Sequence, residues 1–445
     1  MGENIKKRRT LSPSMIIITG FTLAVILGAV LLMLPVSSRD GVFTPVNEAL
    51  FTSVSAVCVT GLVVRDTATY WSAFGQAVIL VLIQIGGLGV VTVAASFSLI
   101  AGRKLSIVAR STMQSAVSAP EIGGIVRLTK FILRGAFIVE AAGILLLLPG
   151  FILRYGAEGV WPAVFHSISA FCNAGFDLMG AKTGAFSSLT GFNKSALTIV
   201  PVMLLIVIGG IGFLTWEDII KHRFRFSRYR MQSKVILCVT GILLLVPAVY
   251  FFLFEFADLP LGERTLNAVF CSVTPRTAGF NTVELSTLRP GSKAITIILM
   301  LIGGSPGSTA GGMKTTTVAL LIANVVSTFK RRDDVNFFGR RVAPAAVRNA
   351  ATIMLMYVSL FLLGGMAISL IESIPLSDCL FETASAIGTV GLTLGITSHL
   401  GVFSQIILIL LMFLGRVGGL TLVYAFLPGN GTVNSKLPLE GITVG

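Results

Sequence analysis

Long apolar runs alternating with shorter ones set the pattern of this chain. Met15–Leu34, Phe131–Leu148, Val235–Phe254 and Ala350–Ile371 run for 18 to 22 residues and are almost wholly apolar. A helix needs about 20 such residues to cross the hydrocarbon of a bilayer, so each predicts a spanning helix. The first follows Lys6-Lys7-Arg8-Arg9, as the core of a signal peptide would. It is too long for one and no small-x-small cleavage site follows, so it is expected to be retained.

Each long run opens a unit that recurs. The first copy continues with Val46-Asn-Glu-Ala-Leu-Phe-Thr-Ser-Val-Ser-Ala-Val-Cys-Val-Thr-Gly61-Leu62, the second with Ala163-Val-Phe-His-Ser-Ile-Ser-Ala-Phe-Cys-Asn-Ala-Gly175-Phe176. The third reads Ala268-Val-Phe-Cys-Ser-Val-Thr-Pro-Arg-Thr-Ala-Gly279-Phe280, the fourth Cys379-Leu-Phe-Glu-Thr-Ala-Ser-Ala-Ile-Gly-Thr-Val-Gly391-Leu392. The four glycines are 114, 104 and 112 residues apart. A second apolar stretch follows each, with its own mark: Ile85-Gly-Gly-Leu-Gly89, Ile208-Gly-Gly-Ile-Gly212, Ile302-Gly-Gly-Ser-Pro306 and Leu414-Gly-Arg-Val-Gly418. Two marks recurring in order predict four tandem copies of helix, short segment, helix. Their bounds are 1–102, 103–221, 222–330 and 331–445. The fold expected is an all-α integral membrane protein with eight spanning helices and four half-helices around one central pore.

The short segments rise only about 15 Å as helix, half the hydrocarbon thickness. Their starts carry helix N-terminal signals: Pro45 with Glu48, Pro162, Glu263, and Ser377-Asp378 with Glu382. Each is expected to enter the membrane, stop midway and return through non-helical backbone. Such backbone is tolerated at that depth only where it lines a watery path.

Charge adds a topology. The net charge of +14 suggests nucleic acid until its distribution is read. Arg103–Arg134, Lys221–Lys234 and Lys330–Arg348 hold six Lys and Arg each, whereas the intervening loops hold nine against twelve Asp and Glu. Every second loop is basic, which places those loops and both termini in the cytoplasm of a multi-pass cell-membrane protein. Anionic lipid or a protein partner accounts for the basic loops, and no nucleic-acid motif is present. The five cysteines lie in or near apolar segments, without the spacing of a disulfide framework or a zinc site.

Four half-helices converging on one axis turn their C-terminal, partly negative ends inward and favour a cation there. The loops beyond them can offer backbone carbonyls in place of a hydration shell, and glycine keeps side chains out of the way. Neutral carbonyls suit a weakly hydrated monovalent cation better than calcium, which seeks carboxylates. Thr389-Val390-Gly391 matches the start of the potassium-channel filter sequence.

With these motifs the whole chain resembles the Trk/Ktr/HKT superfamily of potassium transporters. Lacking extra spans or a fused cytosolic domain, it is similar to the KtrB branch, the membrane subunit of bacterial Ktr uptake systems. The resemblance implies a potassium site lined by Val59, Thr60 and Gly61, by Asn173, Ala174 and Gly175, by Thr277, Ala278 and Gly279, and by Thr389, Val390 and Gly391. Relatives that prefer sodium carry Ser at the first glycine, so Gly61 points to potassium. The resemblance also implies a homodimer, frequent stimulation by sodium, and a KtrA-like cytosolic ring subunit that binds ATP or ADP; this chain itself is expected to hold no cofactor beyond the transported ion. The third copy departs from the pattern: it is one residue shorter and carries Arg276 where two others have Cys, so an acidic residue behind the loop is expected as its counter-charge.

Gly303, Gly304, Ser305, Pro306, Gly307, Ser308, Thr309, Ala310, Gly311 and Gly312, followed by Lys314, interrupt the second helix of the third copy and cannot hold a helix. The other copies read as unbroken there, so this segment is expected to be an intramembrane gate, as the resemblance also implies. Arg416 replaces the glycine found at Gly87, Gly210 and Gly304, and a charge at that depth is expected to clamp the gate segment or form an electrostatic barrier. Glu140 and His166 read as buried structural groups. Gly303-Gly-Ser305-Pro-Gly307 fits a nucleophile elbow but lacks its strand, His and acid, and Gly307…Lys314-Thr315 lacks the second glycine of a P-loop. A transporter rather than an enzyme is expected. A solute carrier that rocks two inverted halves is the alternative, disfavoured because all four copies run in one orientation.

Overall fold

The structure, a computed structural model, describes residues 12–421 apart from 101–105, 118–120, 122, 224, 419 and 420. The basic stretch Lys6–Arg9, the boundary between the first two expected copies and the C-terminal tail lie outside the described residues.

The described chain is mostly helical. The first copy forms α1 (Pro13–Met33), α2 (Val46–Val57), α3 (Ala73–Leu88) and α4 (Val90–Ile100), and α5 (Ile107–Val117) links it to the second. The second forms α6 (Ile125–Tyr155), α7 (Val160–Phe171), the one-turn α8 (Gly180–Thr183), α9 (Ala196–Gly210) and α10 (Phe213–His222). The third forms α11 (Met231–Tyr250), α12 (Leu261–Val273), α13 (Pro290–Leu301) and α14 (Thr315–Phe329), and a small hairpin of β1 (Asn336–Phe337) and β2 (Arg340–Arg341) follows. The fourth forms α15 (Pro344–Glu372), α16 (Leu376–Gly388) and α17 (Val402–Val417).

Why the short helices start where they do is plain from their first turns. Pro45, Pro260 and Pro375 cap α2, α12 and α16 without needing a backbone donor, and Glu48, Glu263 and Asp378 place negative charge at the positive helix end. At the other end, each loses its helical course within a few residues of the marked glycine. Phe51, Phe165, Phe270 and Phe381 hold equivalent places in the four short helices, and all are fully buried.

Packing repeats with the elements. Each long first helix lies on its own short helix: α1 on α2, α6 on α7, α11 on α12, α15 on α16. Each second helix then touches the next copy's short helix: α3 meets α7, α9 meets α12, α13 meets α16, and α17 returns to α2. These contacts run in chain order and return from α17 to α2. Leu23, Leu145, Leu245 and Leu370 on the long helices are 65% to 83% exposed, an orientation that suits acyl chains and not water.

The second helices depart from expectation. Among the described residues α1, α6, α11 and α15 are long and apolar enough to cross a membrane alone. The pairs α3–α4 and α9–α10 qualify only as bent pairs, with bends of 97° and 98°. The bends fall at Gly89 and Gly212, the last glycines of the marks, with φ of 86° and 92°. A run of apolar residues through each bend hides it from hydropathy. The other copies are therefore not unbroken where the third is interrupted; the third differs in having a loop of thirteen residues between α13 and α14 instead of a single turning glycine.

Candidate functional site

The loop after each short helix has one backbone signature. The residue two before the marked glycine is left-handed, with φ of 57° at Val59, 58° at Asn173, 64° at Thr277 and 51° at Thr389. The glycine again has positive φ: 89° at Gly61, 70° at Gly175, 81° at Gly279 and 94° at Gly391. Two reversals of φ within three residues turn the peptide planes out of the helical course and free their carbonyls from helix bonding.

The four loops meet. A Cβ placed on Gly175 would lie 2.8 Å from the Ala278 carbonyl oxygen and 2.9 Å from Gly279 Cα. On Gly61 it would strike the Ala174 carbonyl oxygen and lie 3.0 Å from Gly175 Cα. On Gly279 it would strike the Val390 carbonyl oxygen and lie 3.2 Å from Gly391 Cα; on Gly391 it would strike the Thr60 carbonyl oxygen and lie 3.0 Å from Gly61 Cα. The contacts run from copy one to two, three, four and back to one. At none of the four glycines is there room for a Cβ unless a neighbouring loop moves. The hydroxyls of Thr60, Thr277 and Thr389 are buried with no hydrogen-bond partner among the described residues. The ring thus offers neutral oxygens, a donor set for a monovalent cation.

A hydroxyl behind each loop sets its shape, and sequence reasoning gave it no role. Ser55 Oγ accepts from the Gly61 N–H at 3.1 Å, and Ser385 Oγ from that of Gly391 at 3.0 Å. Ser169 and Thr274 instead donate to the Phe176 and Phe280 carbonyls, at 2.7 and 2.5 Å. Their own carbonyls accept from the residue before the glycine in all four copies, at 2.8 to 3.0 Å. The available signal was a Ser or Thr six residues before the glycine in three copies and five before it in the third. Ser385→Ala leaves the buried Gly391 N–H without an acceptor, at a cost of about 1–3 kcal/mol. The expected result is weaker discrimination between potassium and sodium, read as sodium inhibition of rubidium uptake; unaltered inhibition would remove this hydroxyl from the account.

Beneath the ring lies the glycine-rich segment 303–312. It is held at both ends by its own chain, since Gly303 N–H donates to Met313 O at 2.8 Å and Thr315 N–H to Gly304 O at 3.0 Å. It is tied to the second copy by Ser305 N–H to Gly210 O at 3.0 Å, Thr309 N–H to Gly209 O at 3.2 Å, and Phe213 N–H to Gly307 O at 2.7 Å. Lys314 Nζ donates to Ala310 O at 2.8 Å and so satisfies a carbonyl within the segment. Arg416 reaches it from the fourth copy. Its guanidinium donates to the carbonyls of Thr309 and Gly86 and, at 3.3 Å, to that of Gly87. One side chain thus joins the segment to the first copy. Lys314 and Arg416 also line a cavity of about 310 Å³ on the side away from the ring, with Gly307, Ser308 and the end of α5.

The ring and the segment are linked by a residue sequence reasoning placed only in the former. Asn173 Oδ1 lies 3.0 Å from the Thr309 hydroxyl, and its Nδ2 donates to Arg276 O at 3.2 Å. Arg276 itself overturns an expectation. Its guanidinium is buried, but its side-chain partner among the described residues is the Thr240 hydroxyl at 3.3 Å, its Nε has none, and it forms no ion pair with a described carboxylate. Glu140 accepts from Gln84 at 2.9 Å, and His166 Nδ1 donates to Pro162 O at 2.7 Å.

Comparison with known proteins gives a consistent set. Residues 3–432 match the TrkH family, described as cation transport protein. The chain is 39% identical to the potassium/sodium uptake protein NtpJ of Enterococcus hirae, covering all of this chain and 99% of that one. It is 35% identical to the Ktr system potassium uptake protein B of Bacillus subtilis, covering 93% of each. In fold it is similar to the potassium transporter TrkH from Vibrio parahaemolyticus, with a TM-score of 0.74 at 18% identity, over 96% of this chain and 87% of that one.

Proposed function

The chain belongs to the TrkH family of cation transport proteins, and from that premise we propose that it takes up potassium across the cell membrane through one central pore. In this reading the four copies supply eight spans, with each bent or interrupted second helix counted as one, and four half-helices. Residues 59–61, 173–175, 277–279 and 389–391 are the selectivity filter, and 303–312 with Lys314 and Arg416 are the gate.

The observation that carries the reading is the closed ring of four glycines with a carbonyl oxygen at each junction. A potassium ion sheds its hydration shell only where oxygens replace it at little reorganisation cost, and fixed backbone carbonyls do so without adding net charge. Half-helix C-termini behind the ring add a favourable field. Segment 303–312 closes the path below the ring, and its many bonds to neighbouring copies favour the closed state. Transport needs no catalytic group, so the reading is not that of an enzyme. Opening by a cytosolic nucleotide-binding ring is the natural role for the basic loops; Arg223, Arg225 and Arg228 are exposed, whereas Arg230 is paired with Glu217 at 2.7 Å. Homodimerisation, stimulation by sodium and cytoplasmic termini complete the proposal. It draws on relatives named as Ktr system potassium uptake proteins and as a potassium/sodium uptake protein.

Rubidium uptake by cells that lack other potassium uptake is the direct test; a chain that restores growth on low potassium and moves rubidium supports it, and a chain that moves an organic solute instead defeats it. Within the same assay Gly61→Ser is expected to lower selectivity for potassium over sodium by tenfold or more. The added side chain would enter at the Ala174 carbonyl and distort one quarter of the ring. Parent affinity and parent sodium exclusion in this variant would place the filter elsewhere.

A further inference from the structure

The bend at Gly212 leaves a wedge that the ion path does not use. Because α10 turns 98° away from α9, the cytoplasmic third of α6 loses the neighbour against which its outer part packs. The result is an apolar groove of about 970 Å³ between α6 and the α9–α10 corner. Phe131, Ile138, Ile208, Ile211 and Ile219 line it, and Trp216 closes its inner wall. Three cations stand along the same groove: Arg127, Lys130 and Arg134, spaced three and four residues apart on one face of α6. They climb about 10 Å of helix. All three are exposed, and none has a side-chain ion pair or hydrogen bond among the described residues.

We propose that this groove is a binding site for an anionic phospholipid, its phosphate held by Arg127, Lys130 and Arg134 and its acyl chains lying against Phe131, Ile208 and Trp216. Two properties select this occupant. The groove is too apolar to stay filled with water, and it opens sideways where acyl chains are the surrounding medium. Its cations sit where the basic loops meet the membrane, so negative headgroups supply the missing counter-charge. A zwitterionic headgroup carries its own ammonium and gains less. Three basic groups at headgroup depth contribute about fivefold each to binding, and so about a hundredfold together.

The purified full chain in neutral detergent, titrated with phosphatidylglycerol and separately with phosphatidylcholine under native mass spectrometry, tests the site. Retention of one phosphatidylglycerol, with phosphatidylcholine held at least tenfold less, is the expected result. Arg127→Gln, Lys130→Gln and Arg134→Gln together should reduce that retention about a hundredfold, while Arg223→Gln, Arg225→Gln and Arg228→Gln should not. Inorganic phosphate at millimolar level should leave the lipid in place, since the acyl chains contribute; displacement by phosphate would reduce the site to an anion patch and overturn the lipid assignment. Should the triple variant fail to fold, the parent answers alone. Phosphatidylglycerol brominated in its acyl chains should quench the emission of Trp216, compared with Trp216→Phe, while Trp71 and Trp161 lie elsewhere. Absence of quenching, as would follow if a second copy of the chain covered the groove, overturns the proposal.

Discussion

Gly391→Ala should abolish potassium uptake, lowering it at least a hundredfold, while Gly395→Ala should leave it near the parent value. The two glycines have almost the same backbone, with φ of 94° and 97°, so both substitutions carry the same left-handed strain of about 1–2 kcal/mol. What differs is the surroundings. A Cβ on Gly395 meets nothing within 4 Å, whereas one on Gly391 strikes the Thr60 carbonyl oxygen and crowds Gly61 Cα at 3.0 Å. Backbone on both sides cannot move aside without opening the ring. Initial rates of rubidium uptake at matched membrane expression distinguish the cases. Equal loss in both variants would mean that strain, not the ring, governs transport; no loss in either would take Gly391 out of the ion path.

Removing Pro306–Gly311 should raise flux several-fold and make it less dependent on any cytosolic partner. The segment's carbonyls lie in a place with little water, where an unsatisfied group costs several kcal/mol. Bonds from Arg416, Lys314 and the backbone of α10 meet that need in the closed arrangement. Arg416→Ala should shift flux in the same direction, though less, because the ties to the second copy survive. Arg416→Lys should behave nearly as the alanine variant does, since one ammonium cannot reach the separate carbonyls of Thr309, Gly86 and Gly87 that the guanidinium fork spans. A deletion variant that reaches the membrane and conducts no faster than the parent would leave the segment a kink and nothing more.

What the sequence disclosed followed from repetition. Gly61, Gly175, Gly279 and Gly391 could be found because they recur at nearly constant spacing, and the short helices because they are apolar yet too brief to span. Arg416 stood out because three sister positions are glycine. The bends at Gly89 and Gly212 were hidden, because a turning glycine inside an apolar run leaves hydropathy unchanged. Asn173 gave no sign that it joins ring to segment, since its two contacts, Thr309 and the Arg276 carbonyl, lie more than a hundred residues away. The acid expected beside Arg276 was an inference from charge alone. A buried guanidinium here is met by a hydroxyl instead, which local sequence could not reveal.

The turn at Gly212 has a mechanical meaning. Phe213, the first residue beyond it, donates its N–H to Gly307 O, and a Cβ on Gly212 would lie 2.8 Å from Pro306 O. The segment is therefore attached to the start of α10, at the pivot of a rigid arm ten residues long. The far end of that arm carries Lys221 and His222, and Asp218 ties it to Arg230 at the start of α11. If the segment gates the path as proposed, a tilt of α10, roughly 15 Å of helix, would move Gly307 through its bond to Phe213. Arg416 holds the same segment from the fourth copy, through its bond to the Thr309 carbonyl, so the two ties bear on Gly307 and Thr309 from different sides.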